Sequence, residues 1–373
     1  MQKIIVITTS FPKNKSDYSG LFVYRHIKYI NKKTIVIAPH EKGLKEYEKY
    51  ENIEIYRIKY APEKFETLFY GQGVLENIKN SKISVITAIP WIFLSTYKAI
   101  NLLKNNDILI THWAFPTGIS GSFIKLIKKD ITHINIIHSA GITLLKKYKL
   151  KAIAKFLYKY TDKIQFVNKE HIKWFELLIE KKTENKKIIL KPMPVEFYKS
   201  TINGNKKNIL YIGRIIKIKG LNQMLDELRD YSKQKVIIAG NGNLKNKLEK
   251  KYKFADFTGN VYGKKKEELL KTSKYLIIPS ITDKGQQEGF PGVILEGALN
   301  GTILIISKYV KGIDYLYKDR INCLYYDPYI KGDLTEKLEY AEKNEKKIKK
   351  IIKISYDTAY GIIESYKIAP FEN

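Results

Sequence analysis

The feature that most constrains the fold of this chain is a repeated alternation between short β-branched runs and longer amphipathic stretches. The short runs lack alternating polar residues, which is typical of strands covered on both faces in a parallel sheet. Strand–helix alternation of this kind predicts doubly wound α/β domains. In the first half, strands are predicted at Lys3–Ser10, Thr34–Pro39, Ile53–Tyr60, Asp107–Thr111, His133–His138 and Lys163–Asn168. Helices are predicted at Leu21–Asn31, Pro90–Asn105, Thr117–Lys129 and Lys169–Lys182.

A polar stretch, Thr201–Lys207 (TINGNKK), predicts a linker between two such series. Two domains also suit the chain length, because 373 residues exceed the roughly 150–200 of one domain. We expect an N-terminal domain over residues 1–200, a C-terminal domain over 207–354 and a last amphipathic helix over 355–373. The strands of the second series are predicted at Asn208–Arg214, Lys235–Gly240, Asp256–Val261, Lys274–Ser280, Thr302–Lys308 and Cys323–Asp327. Its helices are predicted at Gly220–Tyr231, Asn243–Lys253, Lys265–Ser273, Pro291–Asn300 and Lys331–Lys353.

The chain is strongly basic, with 67 Lys and Arg against 38 Asp and Glu, a formal net charge of +29. Such a charge suits nucleic acid, an anionic membrane surface or an acidic substrate. It also has a compositional explanation, because the abundant Lys, Ile, Asn and Tyr are residues of A/T-rich codons. Residues 1–200 hold 35 basic and 17 acidic residues, a net +18, and the remainder holds 32 and 21, a net +11. The lysines are spread through both halves, which disfavours nucleic acid and leaves membrane attraction as the favoured functional meaning.

No targeting or membrane-spanning segment is evident in the sequence. The N-terminal MQKIIVITTSF lacks the long apolar stretch and the cleavage site of a signal peptide. No stretch reaches the about 18 uninterrupted apolar residues that span a bilayer. Cys323 is the one cysteine, so no intrachain disulfide can form. We expect a cytoplasmic protein that works in solution or at the inner face of the membrane.

The strongest chemical motif is EGFPGVILE, from Glu288 to Glu296, which follows a predicted strand and opens a predicted helix. Gly289 and Gly292 allow a ligand to approach the backbone, and the free N–H groups of a helix start favour an anion. On one helix the two carboxylates would lie about two turns apart at nearly the same angle, so that one faces a sugar and the other a ribose. A pair of solvent-facing acids is the alternative, and the Gly-Phe-Pro-Gly insert argues against it.

Three further loops follow predicted strands. In YIGRIIKIKG, Arg214 and Lys219 flank a short loop, and two cations there suit a diphosphate, although basic residues are common throughout this chain. AGNGN at Ala239–Asn243 is not a full dinucleotide fingerprint, and a tight turn explains it better. SGLF places Gly20 where a loop enters the first helix, which serves either a phosphate or a turn.

Two histidines, His112 in THWAFPTG and His138 in IIHSAGI, end predicted strands, and His26 lies on the first helix. Ligands of doubly wound sheets gather at the carboxyl ends of strands, so His112 and His138 are candidates for contact with a sugar, although isolated histidines are more often structural. The chain lacks a GxxxxGK[ST] loop, an Asp-x-Asp pair, zinc-type Cys/His spacing and a GxSxG elbow. We therefore expect no P-loop, no metal site and no serine nucleophile.

Taken together, these motifs resemble those of retaining GT-B glycosyltransferases of family 4, of the bacterial surface-glycan type. The resemblance covers nearly the whole chain and is most specific from Asn208 to Asn300, where Gly213-Arg214 and Lys219-Gly220, then AGNGNL, FTGNV and EGFPGVILE follow the family's order. It implies two Rossmann-like domains with parallel sheets facing across a cleft, the first for the acceptor and the second for the nucleotide-sugar donor. It also implies that the last helix crosses back to the N-terminal domain.

The resemblance implies roles for single residues. Arg214 and Lys219 would bind the diphosphate and stabilise the leaving nucleotide, Glu296 would bind the ribose, and Glu288 would contact the donor sugar. His138 would lie by the reacting sugar and is a catalytic candidate together with Glu288, Arg214 and Lys219. The other donor-binding positions would be Gly20, Gly289, Phe290, Pro291, Gly292 and Val293, with His112 on the acceptor side.

The implied reaction is transfer of a sugar from a UDP- or GDP-sugar to a hydroxyl of a glycan or lipid-linked acceptor, with retention and without a metal or other cofactor. A GT-B-like nucleotide-sugar epimerase or phosphorylase is the alternative enzyme. The chain departs from the family at YVKGID, where Lys311 precedes Gly312, and at Asn322-Cys323 in place of Asn-Gly. Ser139-Ala140-Gly141 after the histidine and PMPVE at Pro192–Glu196 also differ from the family pattern, the former mostly on the acceptor side.

Overall fold

The structure is a computed structural model that describes residues 2–14, 17, 19–70, 77, 82–197, 206–231, 234–283, 288–368 and 370–371. The chain divides into two compact units. Unit 1 comprises Met1–Pro194 and Ser365–Asn373, and unit 2 comprises Val195–Glu364. Most of the predicted linker Thr201–Lys207 lies outside the described residues.

Unit 1 is built on a sheet in which, over the described residues, eight strands lie in the order β3-β4-β2-β1-β5-β6-β7-β8. All neighbours are parallel except β3 and β4. Without the edge strands β3 and β8, the sequence order of the strands reads 3-2-1-4-5-6, the order of a doubly wound dinucleotide-binding sheet. The strands are β1 (Ile4–Ile7), β2 (Thr34–Pro39), β3 (Tyr47–Tyr50), β4 (Ile53–Ile58), β5 (Ile108–His112), β6 (Thr132–Ile137), β7 (Lys163–Phe166) and β8 (Ile188–Leu190).

Helices cover both faces of this sheet. Successive residues of a strand point to opposite sides, so its buried apolar strands present side chains that must be covered on both faces. Ile4 and Val6 of β1 belong to one apolar cluster, whereas Ile5 and Ile7 belong to another. The helices are α1 (Leu21–Ile30), α2 (Lys82–Leu102), α3 (Ile119–Ile127), α4 (Ser139–Lys147), α5 (Lys151–Lys159) and α6 (Lys169–Ile179).

Unit 2 repeats the same strand order in a fully parallel sheet, β11-β10-β9-β12-β13-β14 over the described residues. Its strands are β9 (Asn208–Ile212), β10 (Val236–Ala239), β11 (Ala255–Gly259), β12 (Ser273–Ile278), β13 (Ile303–Ser307) and β14 (Leu324–Tyr326). Its helices are α7 (Leu221–Leu228), α8 (Lys245–Lys251), α9 (Gly263–Thr272), α10 (Val293–Leu299) and α11 (Asp333–Lys343), and α12 (Glu345–Ile368) runs on into Ser365–Asn373 of unit 1.

The twelve predicted strands all form, and the differences lie in elements with weaker sequence signals. The strand β3 was missed because its YEKY sequence is polar and mostly exposed at the sheet edge, and β8 because it has three residues. The helices α4 and α5 were also missed; α4 begins with Ser139-Ala140-Gly141, which does not look helical.

Two predicted helix boundaries are wrong. Pro90 does not start a helix but lies inside α2, which begins at least as early as Lys82. The predicted single helix Lys331–Lys353 is interrupted at Asn344, whose side chain donates to the Tyr340 carbonyl and caps α11. The second part continues as α12 through the segment predicted to be a separate last helix. Among the helices of the described residues, none combines the length and the hydropathy needed to cross a membrane.

Candidate functional site

The strand order of unit 2 defines where a ligand can bind. In the order 3-2-1-4-5-6, the chain leaves β9 and its neighbour β12 toward opposite sides of the sheet, and the crevice between those loops is the usual binding position. The loop after β9 carries Arg214 and Lys219, and the loop after β12 leads to Glu288. Three of the predicted site residues therefore lie on the two loops that flank this crevice.

Contacts between these loops bring the Lys219 ammonium onto the Glu288 carboxylate, where it forms an ion pair. The Ser280 hydroxyl donates to the same carboxylate oxygen at 3.4 Å. Both side chains of the ion pair are mostly buried, so their attraction is less screened than that of a surface pair. Glu288 precedes α10, which starts at Val293, so the expectation that Glu288 and Glu296 lie two turns apart on one helix is wrong.

Gly220 allows the close approach of the two loops. It has a φ of 64°, and a Cβ added there would lie 2.0 Å from the Pro279 carbonyl oxygen. The backbone N–H of Ile281 donates to the Ile218 carbonyl at 2.8 Å, which joins the loop after β12 to the turn that carries Lys219. Gly20 of unit 1 has a comparable position before α1, with a φ of 69° and an ideal Cβ 2.1 Å from the Ser10 carbonyl oxygen. A close turn therefore suffices to explain Gly20.

The AGNGN loop supports the loop that carries Arg214. The Ile215 N–H donates to the Asn241 carbonyl at 2.8 Å, and the Gly213 N–H donates to the Ala239 carbonyl at 3.0 Å. A Cβ on Gly240 would lie 1.8 Å from the Gly213 carbonyl oxygen. These contacts agree with the interpretation of AGNGN as a tight turn, because its glycines serve loop packing.

Arg214 itself is exposed, while its backbone is fixed. The hydroxyl of buried Tyr211 donates to the Arg214 carbonyl at 2.7 Å. Burial raises the pKa of Tyr211, and the nearby Glu288 charge raises it further, so this hydroxyl keeps its proton. The backbone of Arg214 is thus held in place while its guanidinium is open to solvent, as an anion-binding arginine requires.

Glu296 is almost fully buried in the first turn of α10. The Lys266 ammonium of α9 lies 2.5 Å from its carboxylate. Lys266 was not predicted, because it is one of three consecutive lysines at 264–266 and nothing local distinguishes it. The ion pair offsets the cost of burying the carboxylate.

The remaining predicted donor positions form the turn into α10. The backbone of this turn is fixed by the Ile294 N–H, which donates to the Pro291 carbonyl at 3.0 Å. Gly292 directly precedes the helix, and an added Cβ there would touch only Val195, at 3.4 Å. Two of the positions are buried (Gly289 and Pro291) and three are half-buried (Phe290, Gly292 and Val293).

In unit 1, His112 ends β5 and His138 directly precedes α4. Nδ1 of His112 lies 3.0 Å from Nε2 of His138, and the two rings stack with centroids 5.3 Å apart. Phe22 of α1 packs on the His138 ring at 4.8 Å. The structure thus joins two predicted site residues in one hydrogen-bonded pair and places them beside the helix that follows Gly20.

The backbone next to this pair is strained. Trp113 has a φ of 76° and a ψ of 151°, a region that residues with a Cβ rarely adopt, and its ring lies 5.1 Å from that of His138. Its N–H donates to the Ile136 carbonyl at 2.8 Å, which holds the turn in place. Nothing in the sequence pattern marked Trp113, since positive φ at a tryptophan has no local signature.

Burial keeps the histidines of this region neutral. It lowers the pKa of His138 to about 3 and that of His112 well below its ordinary value, with a further lowering of the latter by His138. His112 is fully buried, and His138 is partly exposed. A neutral His138 can donate or accept one hydrogen bond at its outer face, with His112 fixing its tautomer from within.

No three His, Cys, Asp or Glu side chains converge to hold a metal ion anywhere in the described part of the chain. That activity requires no metal stays a prediction, and an activity measurement in the presence of a chelator would test it.

Comparison with known proteins adds to this geometry. Residues 193–358, which is less than half of the chain, match the family model described as Glycosyl transferases group 1, and the match supports a glycosyltransferase domain there. A search of curated proteins by sequence found no match.

Solved structures resemble nearly the whole chain at low identity. HepE (Alr3699) of Anabaena in complex with UDP is 12% identical with a TM-score of 0.68, over 98% of each chain. Sucrose-phosphate synthase of Thermosynechococcus elongatus is 13% identical with a TM-score of 0.73, over 99% of this chain and 97% of that chain. Trehalose-6-phosphate synthase OtsA is 13% identical with a TM-score of 0.71, over 98% and 97%. These likenesses confirm the predicted fold class, an α/β GT-B fold.

Proposed function

We propose that this protein is a retaining, metal-independent glycosyltransferase that moves a sugar from a UDP- or GDP-sugar to a hydroxyl of a glycan or lipid-linked acceptor. We place it in the cytoplasm, in bacterial polysaccharide or lipopolysaccharide synthesis. The observation that carries the proposal is the pairing of Lys219 with Glu288 beside Arg214, on the two loops that flank the crevice of unit 2. The match of residues 193–358 to glycosyl transferases supports it.

Arg214 and Lys219 bind the diphosphate of the donor. The exposed guanidinium offers a planar fork to one phosphate, and the ammonium offers its remaining N–H groups to the other. Both cations stabilise the negative charge that develops as the nucleotide leaves, which is where electrostatic catalysis acts most strongly. Glu288 holds the Lys219 ammonium in position and contacts the donor sugar.

Glu296 binds the ribose hydroxyls of the nucleotide. Its carboxylate accepts hydrogen bonds, and the Lys266 ammonium holds it in position within a buried setting. Gly289, Phe290, Pro291, Gly292 and Val293 supply backbone and apolar contacts to the donor from the turn that precedes α10.

Sugar transfer proceeds on one face of the donor. The acceptor hydroxyl oxygen bonds to the anomeric carbon on the side from which the diphosphate departs. The bond between that carbon and the phosphate oxygen breaks, and the hydroxyl proton moves to the departing phosphate oxygen. The configuration is therefore retained, and the reaction depends on orientation and charge stabilisation instead of a protein nucleophile.

His138 contributes on the side of the reacting sugar. As a neutral imidazole it donates a hydrogen bond to a sugar hydroxyl, while the His112 contact of 3.0 Å holds its ring. Because His112 is fully buried, it acts on the acceptor side through His138 and not by direct contact.

The test is calorimetric titration of the purified protein with UDP, GDP and ADP. UDP is the first candidate, since the structurally similar HepE was crystallised with UDP and with UDP-glucose. We expect one nucleotide to bind, and Arg214→Ala and Glu296→Ala to weaken that binding by at least about tenfold, the loss of one charge-assisted contact. Arg229→Ala is the matched control, because this exposed arginine of unit 2 pairs with surface Asp226 and lies over the Tyr252 ring.

The donor site would be contradicted if no nucleotide binds. It would also be contradicted if Arg214→Ala and Glu296→Ala bind the nucleotide as tightly as the parent and Arg229→Ala do. Product analysis with the nucleotide-sugar then separates the enzyme classes. A transferase consumes the donor only with an acceptor hydroxyl or slowly with water, whereas an epimerase isomerises it without an acceptor and a phosphorylase requires free phosphate.

A further inference from the structure

The helix α2 has an unusual distribution of side chains. Its buried face carries mainly small residues around one tryptophan, with Ser95 and Ala99 following Trp91 at four-residue spacing. Its outer face carries large apolar residues: Ile89 is 57% exposed, Phe93 70% and Tyr97 67%. A helix that exposes large apolar residues to solvent over three turns has no packing partner on that face within the described residues.

The neighbouring helix α3 extends this surface. It packs against α2, and its own exposed face carries Phe123, Leu126 and Ile127. We call the exposed residues Ile89, Phe93, Tyr97, Phe123, Leu126 and Ile127 the outer apolar face. The ring of Phe123 lies 4.9 Å from that of Phe156 on α5, which connects the outer apolar face to a third helix.

The charge around the outer apolar face is mostly positive, although Lys125 of α3 pairs with Asp162, and Lys151 and Lys155 of α5 pair with Glu180. Residues 82–161 contain twelve lysines and two aspartates, a net charge of +10, and no arginine or glutamate. One of the aspartates, Asp107, is buried and accepts from the Lys3 and Lys104 N–H groups. Exposed lysines stand at the ends of the helices concerned: Lys104 after α2, Lys129 after α3 and Lys159 on α5.

We propose that the outer apolar face docks on an anionic membrane surface. Its apolar side chains enter the boundary between headgroups and acyl chains, and the surrounding lysines bind the lipid phosphates. This arrangement, an apolar stripe edged by lysine, is the one by which helices lie in a membrane interface instead of spanning it. The inference does not depend on the transferase proposal, because lipid binding and nucleotide binding are measured separately.

The charge favours a membrane over the other partners that an apolar face can take. A second copy of the chain would bring two faces of the same strong positive charge together, which costs electrostatic energy. A nucleic acid would meet the lysines but would leave the central apolar stripe in contact with phosphate or water. An anionic bilayer satisfies both the apolar stripe and its basic edge.

The experiment is co-sedimentation of the full chain with phosphatidylcholine vesicles and with vesicles that contain phosphatidylglycerol. We expect binding to the anionic vesicles that exceeds binding to the neutral ones and weakens at high salt. The double variant Phe93→Gln/Tyr97→Gln should lower the partition coefficient about tenfold or more, because two large side chains no longer leave water. The control Ile330→Gln removes another exposed apolar residue, 56% accessible, from unit 2 and should bind like the parent.

A second pair of variants tests the exposed lysines Lys104, Lys129 and Lys159, which form the basic edge of the outer apolar face. Lys104→Gln/Lys129→Gln/Lys159→Gln should weaken binding to anionic vesicles about tenfold or more while leaving binding to neutral vesicles unchanged. Lys247→Gln/Lys250→Gln/Lys253→Gln makes the same change in net charge on exposed positions in and beside α8 and should have little effect.

Three outcomes would overturn the proposal. One is equal recovery with neutral and anionic vesicles, and another is unchanged binding by the Phe93/Tyr97 variant with native circular dichroism. The third is a concentration-dependent dimer in sedimentation velocity that this variant abolishes, which would assign the face to a second copy.

Discussion

At the scale of the residue, the donor-side chemistry depends on which cation each carboxylate contacts. Glu288 pairs with Lys219, and Glu296 pairs with Lys266. Asp283 pairs with Lys217 at 2.9 Å on the same two loops, but at a more exposed position. Each carboxylate therefore reduces the positive charge available to a phosphate, and it also fixes the position of the ammonium. The balance between these two effects can be measured.

We expect Glu288→Gln to separate binding from turnover. The amide no longer neutralises Lys219, so UDP or GDP should bind up to about tenfold more tightly, the value of one charge-assisted contact. Turnover should fall by about a hundredfold or more, because the ammonium is no longer held where charge develops. Calorimetry and initial rates with the identified donor provide the two measurements.

Asp283→Asn is the control, since it removes an equal charge from the neighbouring, more exposed ion pair. Its nucleotide affinity and turnover should stay near those of the parent. If Glu288→Gln and Asp283→Asn behave alike, Glu288 has no special part in the site.

At the scale of the element, the loop after β9 takes its shape from the loop after β10. Ile215 both donates to the Asn241 carbonyl and accepts from the Leu244 N–H at 3.1 Å. Gly240, with a φ of 150°, lies against the Gly213 carbonyl with no room for a side chain. The position of Arg214 is thus decided by a loop that carries no charged group of its own.

Gly240→Ala should therefore damage the site from a distance. We expect a loss of about 2–4 kcal/mol in the free energy of unfolding, because the added Cβ meets backbone atoms that cannot move cheaply. Nucleotide affinity should fall as well, since the Arg214 loop is displaced. Urea unfolding and calorimetry are the measurements.

Gly361→Ala is the matched substitution. Gly361 lies inside α12 with open space at its Cβ position, so alanine should stabilise the protein by about 0.5–1 kcal/mol. If Gly240→Ala leaves both stability and nucleotide affinity intact, the two loops are not coupled as their contacts indicate.

At the scale of the whole molecule, stability should depend on pH through the histidines buried in unit 1. Burial lowers the pKa of His26 to about 3 and those of His133 and His171 to about 4, from an ordinary value of 6.5. Burial also holds the pKa of His138 at about 3. The folded protein binds fewer protons than the unfolded chain whenever the pH is below the ordinary value and above these lowered values.

The stability should therefore be fully present above about pH 6.5 and should fall as the pH decreases toward 4. Each histidine that stays neutral contributes a loss of about 1.4 kcal/mol per pH unit in that window. His26→Phe should make the decline shallower, because within the described residues neither ring nitrogen of His26 has a hydrogen-bond partner. Urea unfolding at pH 7.5 and 5.5 measures the difference, and an identical decline in parent and variant would contradict this account.

The sequence by itself determined the layers and most of the element positions. A buried parallel strand must be apolar on both faces, so the runs at Ile4–Ile7 and Ile303–Ser307 could be recognised without any tertiary knowledge. Glycines after predicted strands likewise indicated the turns that carry Arg214 and Gly240, because the backbone conformations of tight turns restrict the residue type. Both signals are local in the chain.

Tertiary structure alone decided the partners and the exposed faces. Nothing near Lys266 in the sequence selects it over its two lysine neighbours, since its contact with Glu296 arises only when α9 and α10 pack on the sheet. The same holds for α2, whose residues are apolar on nearly every side. Periodicity could not tell which side of it faces the core, and the packing left Phe93 and Tyr97 outside. Periodicity is a property of one segment, whereas an ion pair or an uncovered face is a property of two segments brought together by the strand order.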